Sequence, residues 1–122
     1  MSIDLSFWKY EKGEYLDNDE VYRRGSEGLL TDGLESLPID EITAALKEEF
    51  AEWQCSENGD GLLFEGGERG CFELMWTAQF VRADCREMGY EDMNAIIDVM
   101  HDFACPLYDP SLPQRFDTDI EI

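Results

Sequence analysis

The sequence predicts an α+β fold: an antiparallel sheet of four to five strands with two main helices packed on one face. Three patterns point to it. Ile3, Leu5 and Phe7 alternate with Asp4 and Ser6 at the start, the period-two mark of a strand with one buried face. Apolar residues recur at helical spacing twice, from Ile39 to Trp53 and from Met93 to Ala104. Between these stripes lies a glycine-punctuated stretch rich in Phe, Leu, Trp and Val, which suits hairpins. Strands grouped in this way, with helices set apart from them, bury their apolar faces as a sheet under a helical layer.

The elements follow in order. The alternating start is the first strand. Residues 13–33 combine Asp17, Asn18, Asp19 and Glu20 with glycines at 25, 28 and 33, and read as a loop with one or two helical turns around Val21 and Tyr22. Pro38 opens a helix at a first-turn position where its missing N–H costs nothing, and Asp40 and Glu41 complement the positive end of the helix dipole. Its stripe is Ile39, Ile42, Leu46, Phe50 and Trp53. The turn-prone run ENGDG at 57–61 ends that region, and Leu62 to Phe64 begin a short strand. Gly66, Gly67 and Gly70 turn a hairpin into the alternation of Phe72, Leu74 and Trp76, and Phe80 to Cys85 complete a three-stranded meander. From Tyr90 a last helix carries Met93, Ile96, Ile97, Met100 and Phe103 or Ala104 on one stripe and stops before Pro106. Leu107 and Tyr108 can return to the sheet before Pro110 and Pro113 break order, so the expectation is a single domain spanning 1–122 with a mobile tail from about 111.

Charge dominates the composition. The 122 residues hold 29 Asp and Glu against 9 Lys and Arg, a formal net charge of −20. It is unevenly distributed: residues 27–60 hold ten acids and one base and residues 87–122 nine acids and one base, while the two remaining segments are nearly neutral. Self-repulsion of this size destabilises a compact state, and its field attracts basic partners. With 43% hydrophobic residues, seven Phe, five Tyr and three Trp, the chain is nevertheless too rich in core-formers for a disordered acidic tail. No apolar run approaches the roughly 20 residues of a membrane span, and the start lacks a basic secretory leader. A cytoplasmic protein with no membrane contact is expected.

The residue types exclude more chemistry than they suggest. Binding nucleic acid requires clustered Lys and Arg, the opposite of this balance. There is no Gly-x-Ser-x-Gly, P-loop or His-Glu-x-x-His pattern, and GGERG at 66–70 lacks the Lys and hydroxyl of a phosphate loop. Asp17 to Tyr22 starts like a calcium loop but lacks Gly at the sixth place and Glu at the twelfth. His101, the single histidine, reads as structural near a helix C-terminus. Cys55, Cys71, Cys85 and Cys105 are widely spaced and read as small buried hydrophobes, not as zinc ligands or disulfides. No enzyme activity, cofactor or metal is expected. Carboxylates carried along a helical layer can, however, occupy the groove of a basic nuclease in place of phosphates. The candidate partner-binding residues are Asp40, Glu41, Glu48, Glu49, Asp98 and Asp102 on the two helices, with Asp117 and Asp119 on the tail. The bland alternative is an acidic interaction module or salt-adapted domain with no toxin partner.

Residues 2–10 (SIDLSFWKY), 33–40 (GLESLPID), 91–94 (EDMN) and 105–110 (CPLYDP), with Arg115 and Phe116, resemble immunity proteins of bacterial toxin systems, in particular those of contact-dependent inhibition. The likeness runs along nearly the whole chain, through strand, turn and helix-start segments. It implies a cytosolic protein that binds one cognate toxin domain, often a nuclease, and blocks it; no residue contact carries over. Among the matching residues, Phe7, Trp8, Tyr108 and Phe116 read as core or sheet cover, and Asp109 and Arg115 as a pair fastening the tail. Trp8 is the one candidate for an exposed anchor, if it lies opposite the face of Ile3, Leu5 and Phe7.

Overall fold

The computed structural model describes residues 2–11, 13, 16–59, 61–109 and 114–115. They form β1 (Ser2–Trp8), α1 (Asn18–Ser26), α2 (Ile39–Glu49), β2 (Gln54–Asn58), β3 (Gly61–Glu65), a 3-10 turn (Gly67–Arg69), β4 (Cys71–Trp76), β5 (Phe80–Arg86), α3 (Tyr90–Asp102), β6 (Leu107–Asp109) and β7 (Gln114–Arg115). The strands make one antiparallel sheet in the order β2-β3-β4-β5-β1-β6-β7. The fold is thus α+β, with seven strands where four to five were expected. The two additions at the sheet edges are β2 and the two-residue β7.

Alternation sorts the strand residues onto two faces. On one face Leu5, Phe7, Leu62, Phe64, Phe72, Leu74, Val81, Ala83 and Cys85 meet Ile42, Leu46 and Phe50 of the α2 region and Met93, Ile96 and Met100 of α3. Phe64 and Phe72, paired across β3 and β4, stack with centroids 4.5 Å apart. Both expected helices therefore cover one face. The other face carries a second, smaller core of Trp8, Val21, Leu34, Phe80 and Tyr108. The helical turns around Val21 have become a true helix, α1, which crosses this face at one end. Asp17 caps it by accepting from the Asp19 N–H, so the carboxylate that headed the supposed calcium loop is occupied in starting a helix. Gly25 allows the close approach: a Cβ there would stand 2.5 Å from the Phe80 ring.

Two aromatic expectations change. Trp8 does lie opposite Leu5 and Phe7, but it is fully buried among Phe80, Tyr108 and Tyr10 beneath α1, with ring centroids 5.1–6.3 Å away. The exposed-anchor alternative fails because a helix covers the face the sequence left open; Trp8, Phe7 and Tyr108 are core residues, in line with their reading as core or sheet cover. Trp53 is buried as its spacing implied, but it lies beyond α2, which stops at Glu49, on a turn whose Trp53 N–H donates to the Phe50 carbonyl. Of the cysteines, Cys85 and Cys105 are buried and Cys71 half-buried, whereas Cys55 is exposed on β2, a strand open on both faces; none of the four is in a disulfide. The side chains of Asp109 and Arg115, and Phe116 as a whole, lie outside the described residues, as does the tail expected from about 111 apart from the backbone of 114–115.

Candidate functional site

Six of the eight expected contact residues lie on the two helices of the covered face. Asp40 and Glu41 occupy the first turn of α2, Glu48 and Glu49 its last turn, and Asp98 and Asp102 the second half of α3; all six are exposed. Asp117 and Asp119 lie outside the described residues. α2 and α3 touch, so these carboxylates share one layer. Asp40 and Glu41 also edge a shallow hollow of about 440 Å3 with Leu37, Pro38 and Ile39.

Acids are not confined to this layer. Acids elsewhere, among them Glu11, Asp32, Glu65 and Glu87, also form no ion pair among the described residues; what sets the layer apart is that six such carboxylates stand together on two helices whose one Lys or Arg is Lys47. On α1, Arg23 lies 2.7 Å from Glu20 and 3.9 Å from Glu27. On the sheet face opposite α2 and α3, Arg82 lies 3.2 Å from Asp4, and Arg86 3.4 Å from Glu73 and 3.8 Å from Asp84. Lys9 lies 3.7 Å from Glu35. At the rim of the helical layer Arg69 holds Asp92 through two N–H donors and stands 5.1 Å over the Trp53 ring. Among the described residues, none of Asp40, Glu41, Glu48, Glu49, Asp98 and Asp102 forms an ion pair. α2 has four acids and one Lys, and α3 four acids and no Lys or Arg. Strand alternation makes the difference: Arg82 and Arg86 point away from α2 and α3, so their charge compensates the wrong side for the layer.

Helix electrostatics separates these six further. Acids in a first turn favour the helix, so Asp40 and Glu41 have a folding reason to be there. Glu48, Glu49 and Asp102 lie in last turns, where the dipole opposes a negative charge by about 0.3–1 kcal/mol each. Folding gains nothing from them. Surface exposure beyond the charges adds Tyr90, the first residue of α3, which stands in solvent; its place off the apolar stripe was the sequence signal for it.

The open sheet face holds a second carboxylate arrangement. Asp4 and Asp84 face each other across β1 and β5, and the Tyr22 hydroxyl donates to Asp4 at 2.7 Å. Burial first, and that hydrogen bond second, push the Tyr22 phenol up to about 12. The Cys85 thiol is also pushed up to about 12, by burial and then by the Asp84 carboxylate, which makes it a packing group and no nucleophile. Asp84 is raised above the ordinary Asp range by desolvation and then by Asp4, with Arg82 and Arg86 opposing. A raised carboxyl binds its proton more tightly in the folded state, so its contribution to stability is full in acid and lost as pH climbs through its folded value. Asp84→Asn is therefore expected to gain stability relative to the native chain as pH rises from about 3 to neutrality, read from urea unfolding across that range. A constant difference at every pH contradicts the assignment.

His101 is exposed in the last turn of α3. Among the described residues no group of three or more His, Cys, Asp and Glu is placed to hold a metal ion, and no helix is long and apolar enough to cross a membrane. Neither a scan of protein-family models nor a search of curated protein sequences returns a match to this chain.

Proposed function

We propose that this protein is an acidic inhibitor that docks its α2–α3 layer on a basic toxin domain, a nuclease, and keeps that domain from its nucleic-acid substrate inside the cytoplasm. The observation that carries the reading is the uncompensated charge of the layer. Among the described residues, six exposed carboxylates stand without ion-pair partners while Arg23, Arg69, Arg82 and Arg86 are engaged with other acids. Three of them sit where the helix dipole penalises them. A surface kept anionic against its own folding preference suits a cationic groove, where complementary potentials give fast association and reject wrong partners. The resemblance of the strand, turn and helix-start segments to toxin-immunity proteins supplies the class of partner.

The test is co-expression with the product of the adjoining gene. The expected result is co-purification as a stoichiometric complex and loss of that product's nucleic-acid cleavage when this protein is added in equal amount. A product that cleaves equally well in its presence overturns the reading.

A further inference from the structure

We propose that the outer edge of β2 and the groove beside it receive an extended segment of the basic partner as an added, eighth strand. The inference rests on the reading above for the charge of its occupant, and on independent geometry for its site.

β2 is the terminal strand of the sheet, hydrogen-bonded to β3 on one side only. The Gly66 N–H donates to the Gly70 carbonyl at the end of the β3–β4 ladder, and an antiparallel ladder alternates, so Phe64 and Leu62 bond to β4 while Glu65, Leu63 and Gly61 bond to β2. Asn58, Ser56 and Gln54 therefore bond inward to β3, while the N–H and C=O groups of Cys55 and Glu57 point outward from the sheet. Strand edges are commonly blocked by Pro, a bulge or charged side chains. The run QCSEN has no Pro and no bulge and one charge, the acid Glu57; it continues in register over five residues and is exposed throughout. Burial does not explain why such a polar segment should be kept as an open strand.

The second observation is the groove alongside. A hollow of about 290 Å3 lies between α2 and the β2–β3 hairpin, lined by Thr43, Lys47, Glu57, Gly61, Leu62 and Trp76. Strand addition takes affinity from main-chain hydrogen bonds and selectivity from pockets that accept every second side chain. Outward-facing amides beside a hollow that Leu62 and Trp76 help to line meet both needs. Charge selects the occupant. Glu52, Glu57 and Glu65 are exposed around β2, the strand itself carries no base, and Glu48 and Glu49 end the helix that leads to it. The fitting segment is one of alternating apolar and basic residues.

The probe is the peptide Val-Lys-Val-Lys-Val, with its Val-Glu-Val-Glu-Val counterpart and a version N-methylated at alternate residues so that one edge cannot hydrogen-bond. With the full chain and the Lys peptide at saturation, amide exchange at Cys55 and Glu57 is expected to slow by about tenfold or more. The Glu and N-methylated peptides should produce no such slowing. Glu57→Pro removes an outward N–H without touching the β3 ladder, a position at which edge strands accept Pro, and should abolish binding; Glu57→Gln, which keeps the N–H, should bind with a weaker salt dependence. Absence of binding, or binding that leaves Cys55 and Glu57 exchange unaltered, overturns the proposal. If Glu57→Pro does not fold, the N-methylated peptide decides alone. A toxin that still binds folded Glu57→Pro at native affinity refutes the strand addition and leaves the helical-layer reading standing. A chain that binds the Lys peptide at β2 but no basic toxin refutes that reading and leaves the edge.

Discussion

Trp53→Ala is expected to cost about 3–5 kcal/mol of stability. Trp53 is 6% exposed. Its ring packs edge-on to Phe50 at 5.1 Å and tilted to Phe72 at 5.8 Å, and Phe50 in turn meets Phe64 and Phe72. Gly66 is pressed against the ring so closely that a Cβ would stand 2.7 Å away, which leaves no flexible neighbour to fill the void. The loss reaches beyond the cavity. Arg69 stacks over this ring while holding Asp92, so truncation also loosens the tie between the β3–β4 turn and the start of α3. Against a total stability of about 5–15 kcal/mol for a domain of this kind, the variant should unfold at far lower urea, as followed by far-ultraviolet circular dichroism. A variant that keeps native stability would contradict the packing. If it also lost the toxin, Trp53 would belong to the interface.

The second large effect is on association. Replacing Glu48, Glu49, Asp98 and Asp102 together with Lys is expected to slow binding of the basic toxin by about 10–1000-fold at low salt and to flatten its salt dependence. Stability should not fall. Glu48, Glu49 and Asp102 lie where the dipole favours a cation, so their reversal is expected to leave unfolding unchanged or to raise its free energy by a few tenths of a kcal/mol to about 1 kcal/mol per site. A variant more stable and less able to bind separates a functional charge from a solubility surface, because a salt-adapted surface would show no change in any association rate. Stopped-flow association at several salt concentrations, paired with urea unfolding, reads both quantities. A native rate in the reversed variant rejects the helical layer as the contact surface.

Legibility of the fold followed periodicity. β1, β4, β5, α2 and α3 each give a regular stripe to the main core, so alternation or 3.6-residue spacing marks them in the sequence. β2 buries neither face and has no period to read; it is a strand because β3 lies beside it with matching backbone. α1 has a polar sequence with only Val21 and Gly25 buried, and its helix depends on the Asp17 cap and on docking against Phe80. Reading α1 as only a turn or two left an exposed Trp8 open beside its reading as core, since alternation shows that a side chain points to the second face but not that a helix will land there. Of the candidate site, the identity of the acids and their helices was legible. Their lack of cations was not, because pairing joins residues as distant in sequence as Asp4 and Arg82, or Arg69 and Asp92.

Local order and composition are properties of neighbouring residues, so the sequence by itself determined the α+β class, the two amphipathic helices, the hairpins and the excess of negative charge. Which carboxylates are neutralised, which aromatic rings are hidden and which strand is left at the edge depend on residues brought together from far apart along the chain. Those were decided only when the sheet closed β5 against β1 and set its arginines on the side away from α2 and α3.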